Sequence, residues 1–382
     1  MIAPPVADPF TGWRQSLYDG AAGMALLPIE QARTGGDAAA AAAWAATLLA
    51  DPISAHPDTA NMSYGAPAVA FALHCTAHGD FEPALQELDR HIIAVTQQRI
   101  HRAHARIDSG QPPRMSEYDL IRGLTGIGAY LLHRGHTHPL REVLRYLARL
   151  TEPLPSSPGQ PGWWTSDAPS GRPDPQWPGG HANIGIAHGI TGPLALLALA
   201  ALRGITVPAS SEAITRILLW LDQWQQSAGA TAWWPELVTV ADARFGSTHQ
   251  DGPGRPSWCY GTPGITRAIQ LAGLALNDSN RTRSAELALF GCVTDDKQLA
   301  ALDNGTLCHG WAGLVHTTRR VADDARDPDM FPVQRLRQLQ GQRSQPISGD
   351  DLLLGSTGID LVHHANTYWP PVSSWDSCLL LA

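Results

Sequence analysis

Lysine is nearly missing from this 382-residue chain: Lys297 is the single one, and the rest of its 27 basic residues are arginine. Against them stand 35 acidic residues, giving a formal net charge of −8, which excludes the basic face that nucleic-acid binding requires. Cysteine is scarce as well. The five thiols, at 75, 259, 292, 308 and 378, are odd in number and widely spaced, a pattern that excludes a disulfide scaffold. Long apolar runs are lacking too. The most apolar segment, "PLALLALAALRG" from 193 to 204, is well short of the roughly 20 residues a membrane-spanning helix needs. The start "MIAPPVADPF" has neither the charged n-region nor the apolar h-region of a secretory signal. These absences predict a cytoplasmic protein with reduced thiols and no transmembrane segment.

What is abundant points to a folded, turn-rich molecule: 43% hydrophobic residues, 16% charged, 36 glycines and 30 prolines. The length exceeds that of one ordinary core, so it implies several domains unless a large closed architecture unites the chain. A repeat supplies one. Two small residues three apart, followed by an apolar helical run, recur as "GAAGMALL" (Gly20), "GAPAVAFAL" (Gly65), "GLTGIGAYLL" (Gly123), "GITGPLALLAL" (Gly189), "GTPGITRAI" (Gly261), "GWAGLVHTT" (Gly310) and "GSTGIDLVH" (Gly355). Successive first glycines are 45, 58, 66, 72, 49 and 45 residues apart. The intervals carry second helical patterns at 37–50, 82–107, 139–150 and 211–226, with apolar residues at three- and four-residue steps.

Each unit therefore reads as a helix pair, the glycine-led helix apolar nearly all round and its partner charged on one face, as inner and outer layers require. Seven pairs stack as an open solenoid or curl into a closed, double-layered α/α toroid. The first and last copies look like the others, with no polar cap, and closure is the preferred reading: one all-α toroid spanning residues 1–382. Small residues at the inner helix starts then let backbones crowd around a narrow centre where the loops converge.

Three of those loops carry chemistry: "NIGIAHGITG" (183–192), "GRPSWCYGTPG" (254–264) and "GTLCHGWAG" (305–313). They deliver His188, Cys259, Cys308 and His309 to one rim. Singly, a cysteine is ordinary core, but two thiolates and an imidazole form a zinc set, and three protein ligands leave a fourth position for water or substrate, as in catalytic rather than structural zinc sites.

In order and spacing these three blocks resemble the signature blocks of the lanthionine synthetase C-like family, the lanthipeptide cyclases. The seven-copy register and "YDLIRGLTGIGAYLL" around Asp119 extend the resemblance over nearly the whole chain. It implies a zinc-dependent cyclase of lantibiotic biosynthesis that adds precursor-peptide cysteines to dehydroalanine or dehydrobutyrine, forming thioether rings. By matching position, Cys259, Cys308 and His309 would hold Zn2+. His188 would be the acid/base group, Asp119 its carboxylate partner, and Arg255 and Tyr260 the polar residues flanking the first zinc cysteine. The implied partners are a dehydrated precursor peptide and, transiently, a dehydratase. A zinc-bound thiol is deprotonated where a free one, of pKa about 8.5, is mostly not. A histidine titrating near neutrality suits either protonation of the enolate or deprotonation of the thiol.

Two other readings use the same residues. One is a relative that binds a thiol such as glutathione without cyclising anything. The other is alkylation resembling that of protein prenyltransferase β subunits, whose metal is held by a carboxylate, a cysteine and a histidine. The histidines of "HRGHTHP" (133–138) and "VHHAN" (362–366) fall outside the signature blocks and read as surface or loop residues, and Cys75, Cys292 and Cys378 as structural. The Pro- and Gly-rich stretch 154–180 reads as a long loop over the rim that gates or lines the peptide's approach. The intervals leave little room for an inserted leader-binding module.

Overall fold

The computed structural model describes residues 4, 8–156, 159–228 and 231–382. The rest of the "MIAPPVADPF" start and residues 157–158 of the Pro- and Gly-rich stretch lie outside the described residues. Seven apolar helices form an inner ring. The first is Ala21–Met24 continued by Leu26–Arg33, and the others are Ala66–Cys75, Leu124–Arg134, Thr191–Leu202, Thr262–Ala275, Trp311–Asp324 and Ser356–Ala365. Each packs on the next, and the seventh packs back on the first, which closes the ring. The fold is the expected α/α toroid.

Outer helices Ala38–Leu48, Glu82–Asp108, Thr137–Leu150, Ser210–Trp224, Ser279–Thr294 and Val333–Arg343 back the first six inner ones. They form where the sequence alternates faces. Glu82–Asp108 buries Leu85, Leu88, Ile92, Val95, Thr96, Ile100 and Ala103, a stripe at helical spacing, and Asp37 caps Ala38–Leu48 by accepting from the Ala39 N–H at 2.8 Å. The seventh inner helix is followed instead by a C-terminal segment that turns into the middle of the ring. There Trp375, Asp376, Cys378, Leu379, Leu380 and Leu381 are buried.

The repeated glycine pair has a geometric cause. At the second glycine, an added Cβ would stand 2.1 Å from Leu120 O and 2.7 Å from Met62 Cβ at Gly126, and 1.9 Å from Trp258 O and 2.9 Å from Ile186 Cγ2 at Gly264. One contact is with the helix's own preceding loop and the other with the loop of the previous unit. Gly23 makes the closing version of this contact, 2.9 Å from Leu352 Cβ of the seventh unit. Only hydrogen fits between layers so close.

The resulting loops are stitched by backbone hydrogen bonds from unit to unit: Leu17 N–H to Ser63 O (2.9 Å), Ser63 N–H to Ile121 O (3.1 Å), Leu120 N–H to Ala187 O (3.1 Å), Ala187 N–H to Cys259 O (3.3 Å), Cys259 N–H to Cys308 O (3.3 Å) and Cys308 N–H to Leu353 O (2.9 Å). Buried loop backbone must find partners somewhere. Here each loop finds them in its neighbour, and the loops are thereby set side by side.

Three short strands follow the fourth outer helix: Gln226–Ala228 pairs antiparallel with Thr231–Trp233, and Leu237–Thr239 reaches back to pair antiparallel with His181–Asn183, which precedes the fourth inner helix. The pairing with His181–Asn183 ties residues 225–260 to the strand leading into the His188 loop. Within the Pro- and Gly-rich stretch, residues 163–165 and 179–180 are tied down: Thr165 and His181 exchange backbone hydrogen bonds at 2.9 Å, Trp164 Nε1 donates to Gly179 O at 2.8 Å, and Trp163, Trp164 and Thr165 are buried.

Candidate metal centre

The stitched loops bring the sequence-singled residues to one rim. The Cys259 and Cys308 sulfurs and a ring nitrogen of His309 all lie within 4.8 Å of one another. Adjacent residues 308 and 309 share the site because they sit in an irregular turn before the sixth inner helix, where side chains need not alternate. Cys259 is buried, while Cys308 and His309 are half-buried. The hydrogen bond from the Cys308 thiol, with further ones from His309 and Ser257, holds Cys259 well below the ordinary thiol range. That bond and burial push Cys308 up. One thiolate stabilised beside a second thiol and an imidazole is a donor set for a soft, positively charged ion.

By contrast, burial drives the other thiols up: Cys292 to about 12, and Cys75 and Cys378 likewise well above the ordinary thiol range. All five cysteines are free, and these three sit in the core.

His188 stands on the next loop along. Its Nδ1 lies 2.7 Å from Asp119 Oδ2. Asp119 is buried, and its other oxygen accepts the N–H groups of Arg122 (2.6 Å) and Gly123 (2.7 Å) at the start of the third inner helix, where the helix end favours negative charge. The carboxylate is thus an acceptor, the imidazole carries its proton on Nδ1, and Nε2 is left for chemistry. The His188 ring is 6.3 Å from the Tyr260 ring, centroid to centroid.

Arg255 is partly exposed, 3.9 Å from Asp303, and its charge acts to lower the Cys308 thiol. Trp258 is buried and donates from Nε1 to Leu379 O at 3.1 Å. Burial pushes the Tyr260 phenol up, against a hydrogen bond from Asn183.

Sequence reasoning passed over two polar residues here. Ser257 Oγ accepts from the N–H groups of Tyr260 (3.3 Å) and Gly261 (3.1 Å) and lies 3.6 Å from Cys259 Sγ, so it shapes the turn that presents the thiol. Its signal was a serine three residues before Tyr260 in "SWCYG", a side-chain-capped turn. Asn183 is fully buried and reaches Tyr260 Oη at 3.1 Å. It opens a block singled out for its histidine. Of the histidines read as surface or loop residues, His138 and His363 are exposed, whereas His133 is half-buried at the end of the third inner helix, near Ser377, and His136 lies 3.0 Å from buried Asp89.

The family model described as "Lanthionine synthetase C-like protein" matches residues 12–341. Nisin biosynthesis protein NisC of Lactococcus lactis subsp. lactis is 24% identical over 265 residues, covering 67% of this chain but only 61% of that protein's length. The solved structure of a chain titled nisin cyclase superimposes with a TM-score of 0.79 at 20% identity, covering 97% of this chain and 93% of the other. The fold similarity therefore extends well beyond the aligned sequence. No helix among the described residues is long and apolar enough to cross a membrane.

Proposed function

The chain belongs to the lanthionine synthetase C-like family, and from that premise we propose that it is a zinc-dependent lanthipeptide cyclase, acting as one unit along its whole length. It joins cysteine thiols of a dehydrated precursor peptide to dehydroalanine or dehydrobutyrine, giving lanthionine and methyllanthionine rings. Cys259, Cys308 and His309 would hold the ion, which when bound supplies a Lewis-acidic site that favours the thiolate form of a substrate cysteine.

The other steps belong to side chains. His188, fixed by Asp119 with Nε2 free, takes the proton of the incoming thiol or gives one to the α-carbon after the β-carbon has been attacked. The two roles add up to one proton carried from sulfur to carbon. Arg255 offers positive charge near the sulfur donors, and Tyr260 offers a hydroxyl beside His188. The site acts on reduced thiols, consistent with a cytoplasmic enzyme working next to a dehydratase that prepares its peptide.

The observation that carries this reading is the oriented His188–Asp119 pair on the rim that holds the sulfur–nitrogen cluster. A site that only binds a thiol such as glutathione has no use for a proton carrier. The prenyltransferase-like reading calls for a carboxylate among the metal donors, whereas the cluster here is two cysteines and a histidine. Incubation of the zinc-loaded protein with a dehydrated precursor tests all three. Loss of free thiol without change of mass is expected; an isoprenoid mass gain on supply of an isoprenoid diphosphate, or no covalent change at all, would overturn the cyclase assignment.

A further inference from the structure

Asn183 is fully buried, and its two side-chain ends have different, fixed partners. Oδ1 accepts the Gly185 N–H at 3.0 Å, a group that can only donate, so the amide cannot be turned the other way round. The end facing Tyr260 is therefore the NH2 group, 3.1 Å from Tyr260 Oη. Its remaining neighbour is the Met115 sulfur at 3.7 Å, a weak acceptor. With Asn183 donating to it, the phenol oxygen is used there as an acceptor, and its own proton has to point elsewhere. The ring is also held in place: a Cβ on Gly185 would lie 2.7 Å from Tyr260 Cδ1, so the phenol lies directly on the Gly185 backbone. Tyr260 is only partly buried, adjoins Cys259 in sequence, and faces the His188 ring at 6.3 Å.

We propose that Asn183 is a positioning residue that commits Tyr260 to donating its hydroxyl proton into the site, to the carbonyl oxygen of the dehydrated residue under attack. This rests on the cyclase reading and assigns a role within it. As the thiol sulfur bonds to the β-carbon, the alkene electron pair moves toward the carbonyl, and the oxygen gains negative charge. Tyr260 hydrogen-bonds to that oxygen without giving up its proton. The pair returns when the α-carbon takes the proton that left sulfur, so the sum is S–H added across C=C. A donor fixed in advance on the oxygen where charge develops stabilises the transition state more than the ground state.

Asn183→Asp tests this almost isosterically: one oxygen still accepts from Gly185, but the other now accepts from Tyr260 and draws the phenol proton away from the site. Turnover of a dehydrated peptide is expected to fall on the order of 10²-fold, the effect of losing one such donor, with KM and zinc content kept. Tyr260→Phe should fall equally, and the double variant no further. Asn183→Leu, which neither donates nor accepts, frees the phenol without drawing its proton away and should lose less turnover than Asn183→Asp. Independently of turnover, the Tyr260 19F resonance of 3-fluorotyrosine-labelled protein without peptide should move in Asn183→Asp, since its hydrogen bond reverses. Wild-type-like turnover in Asn183→Asp, additive losses in the double variant, or an unmoved resonance overturns the proposal. A wild-type protein that closes no rings while the resonance moves overturns the cyclase reading and upholds the Asn183-to-Tyr260 polarity.

Discussion

At the scale of single residues, the site depends on which atom carries which proton. Asp119 is saturated on one oxygen by two backbone N–H groups and aims the other at His188. In Asp119→Asn the oxygen would stay on those N–H groups and the new amide would donate toward Nδ1, so the imidazole proton would shift to Nε2, the wrong tautomer for taking a proton. Turnover should drop about 10²- to 10⁴-fold, the usual worth of a general acid or base, as should that of His188→Asn. Metal analysis should find zinc unchanged in both. Retained ring-closing rates would remove the pair from the chemistry. Cys308→Ala is the converse case. It deletes one donor of three, so the purified variant should lose its zinc and its turnover together, while a variant that keeps zinc would disprove the ligand assignment.

At the scale of elements, the glycine pairs decide how closely the inner helices approach. Gly264→Ala would press a methyl into Trp258 O and Ile186 Cγ2, and overpacking of this kind costs about 1–3 kcal/mol. Because Trp258 precedes Cys259, zinc affinity should fall with the melting temperature. Gly341, inside the sixth outer helix, has nothing within 4 Å of its missing Cβ. Gly341→Ala should therefore stabilise by about 0.5–1 kcal/mol, and thermal unfolding of the two variants should separate in opposite directions. This contrast also explains what was readable from the sequence. Inner helices announced themselves because crowding on both sides forbids side chains, and outer helices because one face meets water. Cys259, Cys308, His309 and His188 stood out as candidates because cysteines and histidines stood inside a repeated register, whereas Asp119 was named only through the family resemblance. Asn183 and Ser257 were not, since their roles lie in hydrogen bonds to residues up to 77 positions away, and an asparagine or serine in a turn is common. The burial of His133 escaped for a related reason: its cover comes from the far end of the chain.

That far end governs the molecule as a whole. The C-terminal segment is gripped by units distant in sequence: Tyr18 Oη donates to Cys378 O at 3.3 Å, Trp258 Nε1 to Leu379 O, and Arg267 to Leu381 O at 2.7 Å. Asp376, fully buried, is 2.7 Å from both His316 Nε2 and Arg320 Nε. Against the upward push of burial, Arg320 and His316 hold its carboxyl well below the usual range. Asp376→Asn would strip Arg320 of its buried partner at a cost of about 3–5 kcal/mol, and should lower the melting temperature of the whole ring in one cooperative step. A separate early transition would show that the segment is an appendage.

His133 gives the same segment a pH dependence of opposite origin. Its Nδ1 lies 3.1 Å from Ser377 Oγ, and Phe71 and His74 pack on its ring at 5.0 and 4.9 Å. Burial, with repulsion from His74, Arg203 and Arg33 outweighing the pull of Asp376, brings its pKa down to about 3. An unfolded chain takes up this proton near pH 6.5, whereas the folded one refuses it until about 3. The unfolded state then binds more protons, so stability from this residue is whole above about pH 6.5 and is lost as pH falls toward 3. In His133→Phe that loss cannot occur. At pH 7.5 the variant should be less stable by about 0.5–1.5 kcal/mol, the worth of the Ser377 hydrogen bond. As the pH is lowered toward 4 the gap should close and then reverse. Denaturant unfolding across that range would show crossing profiles, and parallel ones would mean that His133 is not held neutral beneath the C-terminal segment.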